Sequence, residues 1–183
     1  QQHSQQLAAA FLGDAPRGLV DDIAREAGGH PLFVQELARY AEQTRNQAHF
    51  SSALQAGELS LPRVLAHRVE ALGRTARRVL ELVAVAARPV SQTLLMRIEP
   101  DADAAVWQEL CDQHLVRTVG APSALLLECY HDRIRDAVLS GLSDERLQFC
   151  HRALAAAMEE AGAAEPEALV EHFRAAGELE RAR

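Results

Sequence analysis

The sequence predicts a mainly α-helical fold with one small β-hairpin, on three observations. Alanine, leucine and arginine dominate and aromatic residues make up only 4%, a mixture that favours helices packed through small and aliphatic side chains. Apolar residues recur at three- and four-residue intervals along most of the chain. Only between residues 115 and 130 do they alternate with the two-residue period of a strand. At 183 residues the chain is long enough for one or two compact domains with a buried core.

Each element follows in order. Leu7 to Leu12 predicts a short helix ended by Gly13-Asp14-Ala15-Pro16. Leu19, Ile23 and Ala27 keep helical spacing up to Gly28 and Gly29, a natural C-terminal stop. Pro31 suits the first turn of the next helix, where its missing N–H costs nothing. Leu32, Phe33, Leu37 and Tyr40 fall on roughly one face of that helix, and Gln43 to Ser60 is a weakly specified connector. Pro62 opens a helix carrying Val64, Leu65, Val69 and Leu72, punctuated by Gly73. Arg74 to Ala87 is too hydrophobic all round to lie at a surface.

Pro89-Val90-Ser91 predicts a turn, with Ser91 as N-cap for a helix from Gln92 to Ile98. Glu99-Pro100-Asp101 leads into the next helix, Ala102 to Gln113. Leu115 to Val119 and Ala124 to Tyr130 are the two strands of the hairpin, joined by Gly120-Ala121-Pro122-Ser123. Helix resumes from His131 to Leu139, with Ile134 and Val138 inward. Ser143 caps a helix from Asp144 to Ala161, and Pro166 begins the last one, with Leu169, Phe173 and Ala176 on one side. Three helices followed by a hairpin is the order of a winged-helix domain.

Charge and cysteine usage exclude several functions. The net charge of −7 gives no surface that attracts a polyanion as a whole. All 19 basic residues are arginine, so the chain cannot supply the lysine of a phosphate-cradling P-loop. Three widely spaced cysteines argue against a disulfide framework and suit a reducing cytoplasm. No apolar run is long enough to span a bilayer, and no signal peptide is visible. The absent initiating Met and an ending inside a helical pattern predict a piece of a longer protein.

Two junctions stand out. In Gly28-Gly29-His30-Pro31 a rigid apolar ring would sit beside unpaired helix-start N–H groups, a surface on which an adenine could pack. The plainer reading is a helix stop followed by an N1 proline. In Tyr130-His131-Asp132 a strand becomes a helix, and an imidazole beside the helix start suits a phosphate. The plainer reading leaves Asp132 complementing the helix dipole and His131 as a surface residue.

Other chemistry is poorly served. Cys111 with His114, Cys129 with His131, and Cys150 with His151 lack the repeated tight spacing of structural zinc, and Cys111 and Cys150 fall in apolar helical patterns, so no metal is expected. The helix that would read DNA in a winged helix, Asp101 to Gln113, carries Asp101, Asp103, Glu109 and Asp112 and no basic residue. Phosphate repulsion would defeat it, so no nucleic-acid partner is expected. Glu171-His172 and His131-Asp132 are adjacent in sequence, a spacing that points helical side chains apart. No catalytic residue is expected.

The segment Ala27 to Leu37, the start Leu61-Pro62, the motif Tyr130 to Val138 and the stretch Glu171-His172-Phe173-Arg174-Ala175-Ala176-Gly177-Glu178 together resemble, across nearly the whole chain, the STAND class of signal-transducing ATPases. These are relatives of AAA+ proteins, found in bacterial LuxR-type regulators, large kinases and cyclases. Most members have asparagine where this chain has His30. The resemblance implies a helical lid subdomain over residues 1–60, a winged-helix domain over 61–142 and the start of a tetratricopeptide-like (TPR-like) region over 143–183. It further implies a switch in which Pro31, with Gly29, meets the adenine of a bound nucleotide and His131 meets its phosphates.

ADP or ATP would then bind only in the longer protein, with no cofactor expected in this piece alone. The implied partners are an upstream P-loop core in cis and downstream helical repeats or an effector domain, with no membrane. The expected role is regulatory and non-catalytic. The alternatives are a protein-interaction scaffold without a nucleotide role, and, less favoured, a DNA-binding winged-helix factor.

Overall fold

A computed structural model describes residues 2–13, 15–45, 59–121, 125–162 and 166–181. These are mainly helical, with one small three-stranded antiparallel sheet. The chain divides into two compact units, Gln1–Arg68 and Val69–Arg183.

The first unit holds α1 (Gln2–Leu12), α2 (Arg17–Glu26), α3 (Pro31–Arg45) and most of α4 (Leu61–Ala71). Helix α1 starts five residues before the expected Leu7, because its buried positions are Ser4, Ala8 and Leu12. These lie four apart on one stripe, and two of them are small enough to admit a neighbouring helix closely. The inward face of α3 is Phe33, Val34, Leu37, Ala38 and Ala41. Leu32 and Tyr40, expected on that face, are only half-buried. Most of the expected connector, Gln43 to Ser60, lies outside the described residues.

Two polar contacts tie this unit together. Leu61 donates its backbone N–H to Glu26 Oε1 at 2.9 Å, linking the end of α2 to the start of α4. Glu36 on α3 is 5% exposed and pairs with Arg68 Nη1 on α4 at 3.0 Å. A buried carboxylate needs such a partner, since an unpaired one costs several kcal/mol.

The second unit is built on α5 (Arg74–Ala86), in which every residue from Val79 to Ala86 is buried. Around it lie β1 (Val90–Ser91), α6 (Gln92–Ile98), α7 (Ala104–Asp112), β2 (Val116–Val119), β3 (Leu126–Cys129), α8 (Asp132–Ser140), α9 (Asp144–Ala161) and α10 (Pro166–Ala175). Helices α7, α8 and α9 all pack on α5, and α10 packs on α9 through Phe173 against Ala155. Burying that phenylalanine contributes about 1.5–3 kcal/mol.

The sheet corrects the expected two-stranded hairpin. Its order is β1-β3-β2, with Val90 opposite Leu127 and Ser91 opposite Leu126 on one side of β3. On the other side Val116 to Val119 pair with Cys129 to Leu126. Two residues are too few to display a strand period, which is why Pro89-Val90-Ser91 reads as a turn in sequence. Helix α7 begins at Ala104, two residues later than expected. Asp103 is extended and turns its Oδ1 onto the N–H groups of Ala105 and Val106, at 3.0 and 3.1 Å, making itself the cap. Ser91 and Ser143 cap α6 and α9 as expected, accepting from Leu94 and Arg146 at 3.2 Å each.

Candidate functional site

The start of α3 is made by backbone conformation. Ala27 closes α2, and Gly28 and Gly29 follow at φ +59° and +87°. Two successive left-handed residues are accessible to glycine without strain. A Cβ on Gly29 would meet nothing within 4 Å, so the requirement there is conformational and not one of space. The turn closes with His30 N–H to Ala27 O at 3.1 Å, and Val34 N–H then bonds His30 O at 3.1 Å. Pro31 is the first helical residue, as expected, and its ring is exposed. The His30 ring lies 4.6 Å from that of Phe33, whose side chain is buried in the core of the unit.

The start of α8 is made by a side chain. Tyr130 donates its N–H to Leu115 O at 3.0 Å, which ends the sheet. His131 is extended, at φ −155° and ψ 148°, so the helix begins at Asp132 and not at His131 as expected. The His131 ring turns back and its Nδ1 accepts the N–H of Arg133 at 3.1 Å. A nitrogen that accepts carries no proton, so the neutral ring holds its proton on Nε2 and can donate there. Buried Ile134 and Val138 fix the helix on the core, and Arg135 Nε bonds Ala84 O on α5 at 3.0 Å. Such a mouth can receive an anion through backbone N–H groups and an imidazole N–H.

Of the sequence-selected residues, Gly29 and Pro31 lie together in the first unit and His131 lies in the second. The cysteines add no nucleophile beside them. Burial pushes the Cys129 thiol up to about 12 and the Cys150 thiol up to about 11. Burial also raises Cys111. None of the three is a thiolate at neutral pH. Among the described residues no three His, Cys, Asp or Glu side chains gather as a metal cage.

One polar pair is invisible in sequence. His151 on α9 and His172 on α10 bring their Nδ1 atoms to 2.8 Å, with His172 5% exposed. One ring must donate and the other accept, so the contact requires at least one neutral imidazole. Burial, then the neighbouring His151 and Arg88, push His172 down to about 4, against a smaller opposing pull from Glu171. Burial lowers His151 as well. The two residues are 21 positions apart, and only the packing of α10 on α9 brings them together. The arrangement clasps two helices.

No protein-family model matches the chain. A protein of Rhizobium meliloti (strain 1021), described as uncharacterized, is 28% identical to it over 175 residues. That match covers 90% of this chain and 17% of the relative, so the chain spans less than a fifth of the length of the protein it resembles. No helix among the described residues is long and apolar enough to cross a membrane.

Proposed function

We propose that this chain is the control segment of a STAND-type signalling ATPase, a lid, a winged helix and the first helices of a TPR-like repeat. In this reading it couples the ADP or ATP state of an upstream P-loop core to downstream helices or an effector, and performs no chemistry itself. The observation that carries it is His131: its Nδ1 accepts the Arg133 N–H at the mouth of α8, so the neutral ring carries its proton on Nε2. That is the protonation pattern a phosphate contact needs.

Further support comes from the element order. Helix α5, β1, α6, α7 and the β2–β3 hairpin follow one another as in a winged helix, with β1 supplying the third strand. The acidic cap and body of α7, Asp103, Glu109 and Asp112, set this winged helix apart from one that reads DNA. In the first unit, Gly29 and Pro31 offer an exposed ring beside helix-start donors, the adenine side of the proposed switch. The match to a stretch of a far longer protein suits a module within a multidomain chain.

The test is made in the longer protein. His131→Ala should lower ADP retention and raise basal output. Unchanged nucleotide occupancy together with unchanged basal output would overturn the reading, as would an upstream region with no P-loop lysine.

A further inference from the structure

The first turns of α5 carry Arg74, Arg77 and Arg78, and Glu81 follows on the same helical stripe. With Leu72, and with Arg146 from the first turn of α9, they line a concavity of about 600 Å3. Four arginines thus line one hollow on a chain whose net charge is −7.

Three of the four have a duty in the fold. Arg146 Nε bonds Glu81 Oε2 at 2.7 Å, and Glu81 is 8% exposed. Arg78 Nη1 lies 3.5 Å from Oε2 of Glu99, also 8% exposed. These two arginines neutralise carboxylates that would otherwise be buried unpaired. Arg77 donates Nε to the Val69 carbonyl at 3.1 Å and Nη2 to the Glu70 carbonyl, so it closes the end of α4. Carbonyls remove none of its charge. Arg74 has no carboxylate or carbonyl partner among the described residues, yet it lines the same hollow.

Charge counting therefore leaves two uncompensated positive charges, those of Arg74 and Arg77, once Glu81 and Glu99 are set against Arg146 and Arg78. Each guanidinium carries five N–H donors in a fixed fork, so donors remain on all four after these bonds are made. Gly73, which precedes α5, offers no side chain to cap the helix, so the first-turn N–H groups add to the positive field.

We infer that this hollow is a binding site for a small molecule bearing at least two phosphate groups. Arginine forks match phosphate oxygens two at a time. Neighbouring arginines three and four apart on a helix stand about 5–6 Å apart at Cβ, a spacing that suits two linked phosphates better than one. The site is separate from the His131 mouth. Arg74 opens α5, whereas Arg135 of α8 meets the Ala84 carbonyl, about 15 Å further along the same helix. The inference stands without the nucleotide reading, because none of its residues belongs to either junction of that switch.

The test is calorimetric titration of the 183-residue chain with inorganic pyrophosphate at low ionic strength, in parallel with orthophosphate. Pyrophosphate should bind with a Kd below about 1 mM and clearly more tightly than orthophosphate. Arg74→Glu should weaken it at least about tenfold, and Arg74→Gln by less. Because Arg74 is exposed and has no partner among the described residues, both variants should keep the wild-type circular dichroism spectrum. Arg97→Gln, on α6 and outside the hollow, should leave the affinity unchanged. Absence of binding, equal affinity for orthophosphate, or Arg74 variants that bind like wild type would each overturn the site. So would loss of binding in His131→Ala, which would move the anion to α8 and favour the switch reading. Capture of phosphoinositide vesicles or a phosphopeptide with pyrophosphate ignored would also overturn it.

Discussion

The mouths of α3 and α8 present the same kind of backbone donor but are built by opposite means. At α3 two glycines in the left-handed region and an N1 proline set the path, and the chain enters the helix by conformation alone. At α8 the backbone arrives extended and a ring nitrogen takes up the Arg133 N–H. The difference teaches where each is vulnerable. A conformational mouth is broken by adding a side chain anywhere φ is positive, whereas a mouth closed by an imidazole is broken by removing the ring nitrogen that accepts.

The largest expected effect falls on another imidazole contact of the second unit, the His151–His172 clasp. His172 is depressed to about 4 in the folded chain, against about 6.5 when unfolded. Between those values the unfolded chain binds more protons, so stability rises with pH across that window. The contribution is fully present above about pH 6.5 and is lost as pH falls towards 4, amounting to about 2–3 kcal/mol. Chemical denaturation at pH 7 and pH 4.5 should show this loss in the wild type and a smaller one in His172→Phe. Equal losses in both would remove the clasp from the acid response.

Next in size, Gly29→Val should destabilise the first unit by about 2 kcal/mol, because a β-branched residue at φ +87° is strained even with open space around it. A wild-type midpoint in urea would show that the α3 entry tolerates a side chain. Smallest, His131→Ala should cost about 1 kcal/mol through the lost cap, with His131→Asn restoring most of it. If Asn and Ala behave alike, the ring does not hold the helix start.

Local chemistry was legible in sequence where one residue type has one strong use. Gly28, Gly29 and Pro31 mark their junction by conformation, Ser91 and Ser143 mark theirs by capping, and the buried run of α5 declares itself by composition. What stayed hidden is pairing between distant positions. Strand β1 is two residues long and exists only because β3 lies alongside, with Ser91 opposite Leu126 and Val90 opposite Leu127. His151 reads as an ordinary helix residue until α10 delivers His172. Arg74, Arg77 and Arg78 can be seen as a stripe, but Arg146, which completes the hollow, comes from another helix. The start of α7, expected at Ala102, stayed hidden for a different reason: Asp101 and Asp103 are both of a capping residue type, and only the extended backbone at Asp103 decides between them.

Ser91 ends β1 and, in the same residue, caps α6. No slack separates sheet from helix at that point. A slip of one residue along β3 would drag the hydroxyl away from the Leu94 amide and turn Val90 out of the interior, so edge and helix hold each other in step. A strand of two residues has almost no grip of its own, yet here it is indexed like a key cut for a single notch.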